Sequence, residues 1–292
     1  MSKPTPNPLP DLPRLTKAYH KTIYPYLSPN RLELSVSGKT LFITGGAGGL
    51  GRIFCDTFAQ ADISRIVMVG RTLSSLQNAK NNLLTKYPSL EIDVHAASVT
   101  DFSTMSAIIR ATGKIDILVS AAGICHNVGL PSMLAPTELS EMFQTNTVGA
   151  YHTACTAIHQ HTIHGWDHEL KVINMSSALS HSHIAHLSGY AASKAAANLL
   201  MLHLSMQWHA RRVSVFSILS AGFCLWLCHP EASFLSGKFL WAQWDVPELL
   251  EKRAWIEEQP WHLEIGLNLP SLEPPGADSF VLDSRIKIAA QT

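Results

Sequence analysis

The chain has 292 residues, of which 46% are hydrophobic and 15% charged. That composition excludes a globally disordered protein, which would be apolar-poor and charge-rich, and it fits one large α/β domain. Lys+Arg and Asp+Glu balance at 22 each, so the basic surplus needed to bind nucleic acid or an anionic membrane is absent.

Prolines crowd the start of the chain, and residues 1–37 read as an irregular arm outside the core. The arm lacks the apolar stretch of a secretory signal. The longest apolar run, Val213–Cys228, is broken by Ser214, Ser217, Ser220 and Gly222, and falls short of the roughly 20 residues of a membrane span. Five cysteines at 55, 125, 155, 224 and 228 form no CxxC pair, which reads as reduced thiols of a cytoplasmic protein.

Order begins at Lys39–Thr44, a short strand-like run, followed at once by the glycine cluster of Gly45–Gly51. Gly51–Ala61 has helical spacing and Arg65–Val69 is a second strand, so this stretch is a βαβ unit. The alternation continues. Leu73–Tyr87, Phe102–Thr112, Glu138–His161 and Tyr190–Arg211 read as helices. Glu91–Ala97, Ile115–Ser120, Lys171–Met175, Val213–Leu219 and Lys238–Trp241 read as strands. Apolar strands alternating with amphipathic helices imply a parallel sheet covered on both faces. The expected fold is one doubly wound (Rossmann) α/β domain over 38–242, with a C-terminal tail over 243–292.

Gly46-Ala47-Gly48-Gly49-Leu50-Gly51 matches GxGxxG, and Thr44-Gly45-x-x-x-Gly49-x-Gly51 matches a related spacing. Their place between a strand and a helix gives the match its meaning. Glycines allow a sharp turn there, and a pyrophosphate can then reach the free N–H groups of a helix N-terminus. An acidic residue at the end of the second strand would hold a ribose 2′-OH. This chain has Gly70-Arg71-Thr72 instead, and the Arg71 guanidinium suits a 2′-phosphate, which points to NADP(H).

Tyr190 and Lys194, in YAASK, stand four residues apart and share one helix face. A nearby cation favours phenolate and so prepares a tyrosine for proton transfer. Ser177 follows a strand thirteen residues before Tyr190, at an end where such sheets bind ligands. Asn146 is a polar residue in an apolar helical stretch and needs partners. Ser120-Ala121-Ala122-Gly123 ends the fourth strand with small residues beside which a cofactor fits.

With these residues in place, the sequence resembles the short-chain dehydrogenases/reductases over about 38–222, on TGGAGGLG, SAAG, Asn146, Ser177 and YAASK. The arm and the ending GKFLWAQWDVPEL are similar to fungal members of secondary metabolism. The resemblance implies that Tyr190 donates or accepts the proton, and that Lys194 binds the nicotinamide ribose and lowers the Tyr190 pKa. It also implies that Ser177 polarises the substrate oxygen and Asn146 holds a relay water. Gly45, Gly49, Leu50, Gly51, Ser98, Ser120 and Gly123 would line the cofactor together with Lys194. A small carbonyl or alcohol substrate and a homodimer or homotetramer follow as expectations.

The match has departures. SAAG stands for the usual NNAG, Ser98 for an adenine-binding Asp, and Ala221-Gly222 for Pro-Gly. Ala232 follows Gly222 within ten residues, where relatives insert the helices that roof the substrate. A missing lid should weaken water exclusion and positioning, so a catalytically impaired cofactor-binding protein is the alternative. His181, His183 and His186 precede Tyr190 without carboxylate or thiolate partners at ligand spacing, so they read as a polar loop and no metal is expected. Cys224, Cys228, Trp241, Trp244 and Trp255 read as packing residues.

Overall fold

The computed structural model describes residues 15–126, 130–181, 185–208, 211–218, 221–258 and 263. The outer parts of the arm and tail, His183 and Leu219 lie outside the described residues.

The seven strands are β1 (Thr40–Thr44), β2 (Arg65–Gly70), β3 (Glu91–Ala96), β4 (Ile117–Ser120), β5 (Leu170–Met175), β6 (Val213–Ile218) and β7 (Phe239–Leu240). They form one sheet in the order β3-β2-β1-β4-β5-β6-β7, with every pair parallel. The helices are α1 (Gly49–Gln60), α2 (Leu73–Lys86), α3 (Phe102–Thr112), α4 (Pro136–Phe143), α5 (Ala150–Ile163), α6 (Ser188–Trp208), α7 (Ala221–Leu227), α8 (Val246–Glu251) and α9 (Arg253–Glu258).

Side chains alternate across a strand, and the two cores follow from that. Leu41 and Ile43 pack with α1, α2 and α7 on one face, through Phe54, Leu76 and Phe223. Phe42 packs with α3, α5 and α6 on the other, through Ile109, Ala154 and Met201. A strand apolar on both sides can be satisfied only between two helical layers. The strand order reverses between β1 and β4, and a crevice at such a reversal is where doubly wound sheets bind ligands.

Two expectations need correction. The expected helix over 138–161 is interrupted: α4 ends at Phe143, Gln144–Gly149 forms one wide π turn, and α5 begins at Ala150. The arm and the start of the tail are not outside the core either. Leu27, Leu34, Val36, Trp244, Val246, Leu249 and Ile256 are all buried in the α1–α2–α7 core. Tyr19 bridges Trp244, and the Val246 N–H donates to the Tyr24 hydroxyl at 2.7 Å. The described part of the arm is thus tied to the segment that follows β7. Trp241 and Trp244 are buried, whereas Trp255 is exposed.

Candidate active site

The glycine turn is set by close approaches that only hydrogen permits. Gly45 has φ of 71°, and a Cβ there would stand 2.9 Å from the Ala122 backbone. A Cβ on Gly51 would collide with the Gly45 carbonyl. The turn is closed by bonds from Gly45 N–H to Val69 O (2.8 Å) and from Gly48 N–H to Gly45 O (2.9 Å). Gly48 then caps α1 in extended geometry with no side chain over its N–H groups. This is a cradle of the kind that receives a phosphate.

A cleft of ≈ 320 Å³ runs along the carboxyl ends of β1, β2, β3 and β4, with Gly45, Gly48, Arg71, Ser98, Ala122 and Gly123 on its walls. The residues present fit a dinucleotide: glycine backbone at one end, a guanidinium at the end of β2, and small residues after β4. Ala47 and Thr72 also line it, as do Ser75 and Thr145, which no motif had marked. Gly49, Leu50, Gly51, Ser120, Tyr190 and Lys194, also expected to line the cofactor, are not on the walls of this cleft. Gly49, Leu50 and Gly51 form the first turn of α1, with Leu50 exposed and Gly51 wedged against Gly45. Ser120 is buried beneath the cleft, with its hydroxyl unpaired.

Beside the cleft, Asn146, Ser177, Tyr190 and Lys194 come together. Asn146 sits in the π turn and is fully buried. Its Oδ1 accepts from Ile124 N–H (2.8 Å), and its Nδ2 donates to Ile124 O (2.8 Å) and to Ser193 Oγ (3.0 Å). Thr147 Oγ1 donates to Ser193 O (2.8 Å), while Ser193 Oγ donates to Tyr190 O (2.7 Å). The π turn therefore clamps both the segment after Gly123 and the first turns of α6. Extra residues in a helix often serve this purpose at functional sites. A Cβ on Gly123 would stand 3.2 Å from Asn146 Oδ1 and 3.5 Å from Lys194 Nζ, so glycine keeps space in front of both.

Lys194 is buried, and its Nζ donates to Met175 O at 2.7 Å. Burial pushes its pKa down to about 8. Its Nζ lies 5.9 Å from the centre of the Tyr190 ring. The Tyr190 pKa stands above the ordinary value, contrary to the expected lowering. Burial is the main cause, and the hydrogen bond to the Ser177 hydroxyl pulls the other way. The Lys194 ammonium is not among the groups that shift it: its Nζ is turned to the Met175 carbonyl, 5.9 Å from the ring centre. Ser177 Oγ also accepts from Leu179 N–H at 3.2 Å.

A shallow pocket opens next to Tyr190, walled by residues between His126 and Met142 and by His186–Gly189. Its apolar side is Leu130, Met133, Leu134 and Met142. His181 lies apart from it, with its ring against Phe239 at 3.9 Å. After β6 the described chain runs into α7, where Phe223–Leu227 are buried and Phe223 meets Trp226 edge-on at 5.1 Å. The described residues between β6 and β7 supply no wall of this pocket. Among the described residues no group of three or more His, Cys, Asp or Glu is placed to hold a metal. Among those residues, too, no helix is long and apolar enough to cross a membrane.

A doubly wound parallel sheet with a glycine turn at its switch point, beside a Ser-Tyr-Lys cluster, defines the class of nucleotide-dependent oxidoreductases. The sequence pattern of the short chain dehydrogenases matches residues 39–224, and the chain belongs to that family. It is 32% identical to the short chain dehydrogenase/reductase AacuD of Aspergillus aculeatus, over 87% of this chain and 96% of that protein. It is 31% identical to the short chain dehydrogenase/reductase nsrO of Aspergillus novofumigatus, over 87% and 97%. Among solved structures it resembles a 3-oxoacyl-(acyl-carrier protein) reductase with bound NAD from Brucella melitensis. That likeness has a TM-score of 0.65 at 21% identity and covers 73% of this chain and 92% of that one.

Proposed function

We propose that the chain is an NADP(H)-dependent reductase that interconverts a ketone and a secondary alcohol on a fungal secondary metabolite of polyketide or terpenoid type. In this reading it works in the cytoplasm as a homodimer or homotetramer. The observation that carries it is the convergence of Ser177, Tyr190 and Lys194 at the end of β5, beside the glycine-walled cleft. The cofactor, when bound, supplies or takes up a hydride. The chain's own residues handle the proton. Burial keeps Tyr190 protonated at neutral pH, so its hydroxyl is ready to give a proton to a substrate oxygen, which is the reductive direction. The Ser177 hydroxyl, bonded to the same phenol, lies where it can also bond that oxygen. Lys194 retains its proton at pH 7, with a pKa of about 8, and its charge offsets the phenolate once the proton has left. Asn146 fixes the turn after Gly123 and the start of α6 through Ile124 and Ser193.

Tyr190→Phe tests this. Turnover of ketones, followed by nicotinamide absorbance, should fall at least about a thousandfold, a loss within the range of acid–base catalysis, while NADPH still quenches tryptophan emission with unchanged affinity. Retained turnover would sink the assignment. The second reading, a cofactor-binding protein with impaired catalysis, is favoured by the direct run from β6 into α7. It predicts NADPH binding without turnover across a broad panel of ketones and alcohols.

A further inference from the structure

Ser177 lies on a loop after β5, while Tyr190 and Lys194 ride on α6, so something must hold loop and helix in register. Asn198 stands one turn beyond Lys194 and is 4% exposed. Its Oδ1 accepts from Nδ2 of Asn174 on β5 at 3.2 Å, and that same Nδ2 donates to Ser217 Oγ on β6 at 3.3 Å. On its other side, Asn198 Nδ2 donates to Ser180 Oγ at 3.1 Å. Ser180 Oγ donates in turn to the Ser177 carbonyl at 2.7 Å. It also stands 2.7 Å from His181 Nδ1 and 3.4 Å from Ser176 Oγ. Two buried amides, Asn198 and Asn174, therefore join β5 and β6 to the catalytic helix and the serine loop. The Asn198 carboxamide can bridge in this way because it carries a donor and an acceptor.

We propose that Asn198 and Ser180 act together as positioning residues that set the Ser177 hydroxyl against the Tyr190 phenol. The inference rests on the reading of Ser177 and Tyr190 as the reacting pair. The Asn198 amide is anchored to the sheet, and Ser180 passes that anchor to the residue whose hydroxyl must meet the phenol. A displacement of about 1 Å at such a contact is enough to cost roughly a hundredfold in rate.

The test uses the full chain with tyrosine isotopically labelled at Cζ, a carbon whose NMR shift responds to hydrogen bonding of the phenol at neutral pH. The Tyr190 resonance is the one lost in Tyr190→Phe. It should move in Ser177→Ala, and move the same way in Ser180→Ala and Asn198→Ala, while Ser180→Thr leaves it in place. The turnover number should fall about tenfold or more in Ser180→Ala and Asn198→Ala, with the Kd for NADPH unchanged. The double variant should lose no more than the worse single one, because the two residues act as one unit. If Asn198→Ala fails to fold, Ser180→Ala carries the test, since its side chain is in a loop. A Tyr190 resonance and a turnover number both unaltered in Ser180→Ala overturn the proposal. Retained turnover in Tyr190→Phe overturns the reading of the reacting pair instead, and the resonance then still decides whether Asn198 and Ser180 position Ser177.

Discussion

Lys194 holds a positive charge in a place that disfavours it. Its Nζ has the Met175 carbonyl as partner, and burial alone brings its pKa down to about 8. A folded-state pKa below the value of about 10.4 in an unfolded chain means that the charged form costs stability. The cost is fully present below about pH 8 and eases as the pH rises from there toward the unfolded value. Lys194→Met should therefore abolish turnover and yet melt at or above the unaltered protein at pH 7. Its advantage should shrink by pH 10. A large fall in Tm at pH 7 would show that the ammonium stabilises the fold. Arg71 presents the opposite case, an exposed cation on the cleft wall that costs nothing to hold in water. Its use emerges only with a ligand that carries an extra phosphate. Arg71→Ala should raise the Kd for NADPH about tenfold, the lower end of a charge-assisted bond, because the site is open to solvent. The Kd for NADH should stay the same. Equal losses for both would assign Arg71 to general steering rather than to the 2′-phosphate.

Helix and strand ends bring these side chains together, and the π turn at 144–149 has little slack. Gly149 is packed so closely that a Cβ would stand 2.8 Å from Val99 Cγ2, 3.0 Å from Val99 O and 3.1 Å from Gln144 O. Gly149→Ala gains helix propensity of about 1 kcal/mol but pushes on backbone atoms that cannot yield, at about 1–3 kcal/mol. We expect a Tm lower by a few degrees and a reduced turnover number, because Asn146 moves with the turn. A rise in Tm would show that Val99 gives way. The turn also marks where reading the sequence stops. The strands were visible because strands buried on both faces are largely apolar, as in Arg65–Gly70 and Ile117–Ser120. Asn146 was visible as a polar residue in an apolar helical stretch, Ser177 by its place after a strand, and Tyr190 and Lys194 by their four-residue spacing on one helix face. The extra residue in the π turn leaves no such trace, because nothing in the run QTNTVG sets it apart from the helical spacing on either side. Asn174, Asn198 and Ser180 were invisible for another reason: their meeting depends on packing α6 against β5, which no local spacing encodes. The raised pKa of Tyr190 was missed likewise, because burial is a property of the assembled site.

At the scale of the whole molecule, the described part of the arm is strapped to the segment around α8. Leu27, Leu34 and Val36 enter the core beside α7. Few apolar residues stand among the prolines, which is why the arm read as peripheral. The strap is then tied on its outer side. His20 N–H donates to Gln243 O at 2.8 Å, and the His20 ring stacks on Tyr24 at 3.6 Å. The N–H groups of Ala18 and Lys17 converge on the Glu248 carboxylate at 2.9 and 2.5 Å and hold its pKa below the ordinary value. Apolar burial dominates this arrangement, since exposed polar ties contribute little. Leu27 is 2% exposed, so Leu27→Ala should destabilise the protein by about 2–5 kcal/mol through the cavity it leaves. For a domain of this size that corresponds to a Tm lower by about 5–15 °C. Glu248→Gln, which weakens only the outer tie, should shift Tm by a few degrees at most. The cleft lies at the carboxyl ends of β1 to β4, and its walls take nothing from the described residues of the arm. NADPH affinity at low temperature should therefore be the same in both variants. A Leu27→Ala protein with unchanged Tm would mean that the arm merely rests on the core, and a weakened NADPH affinity would mean that the strap also shapes the cleft.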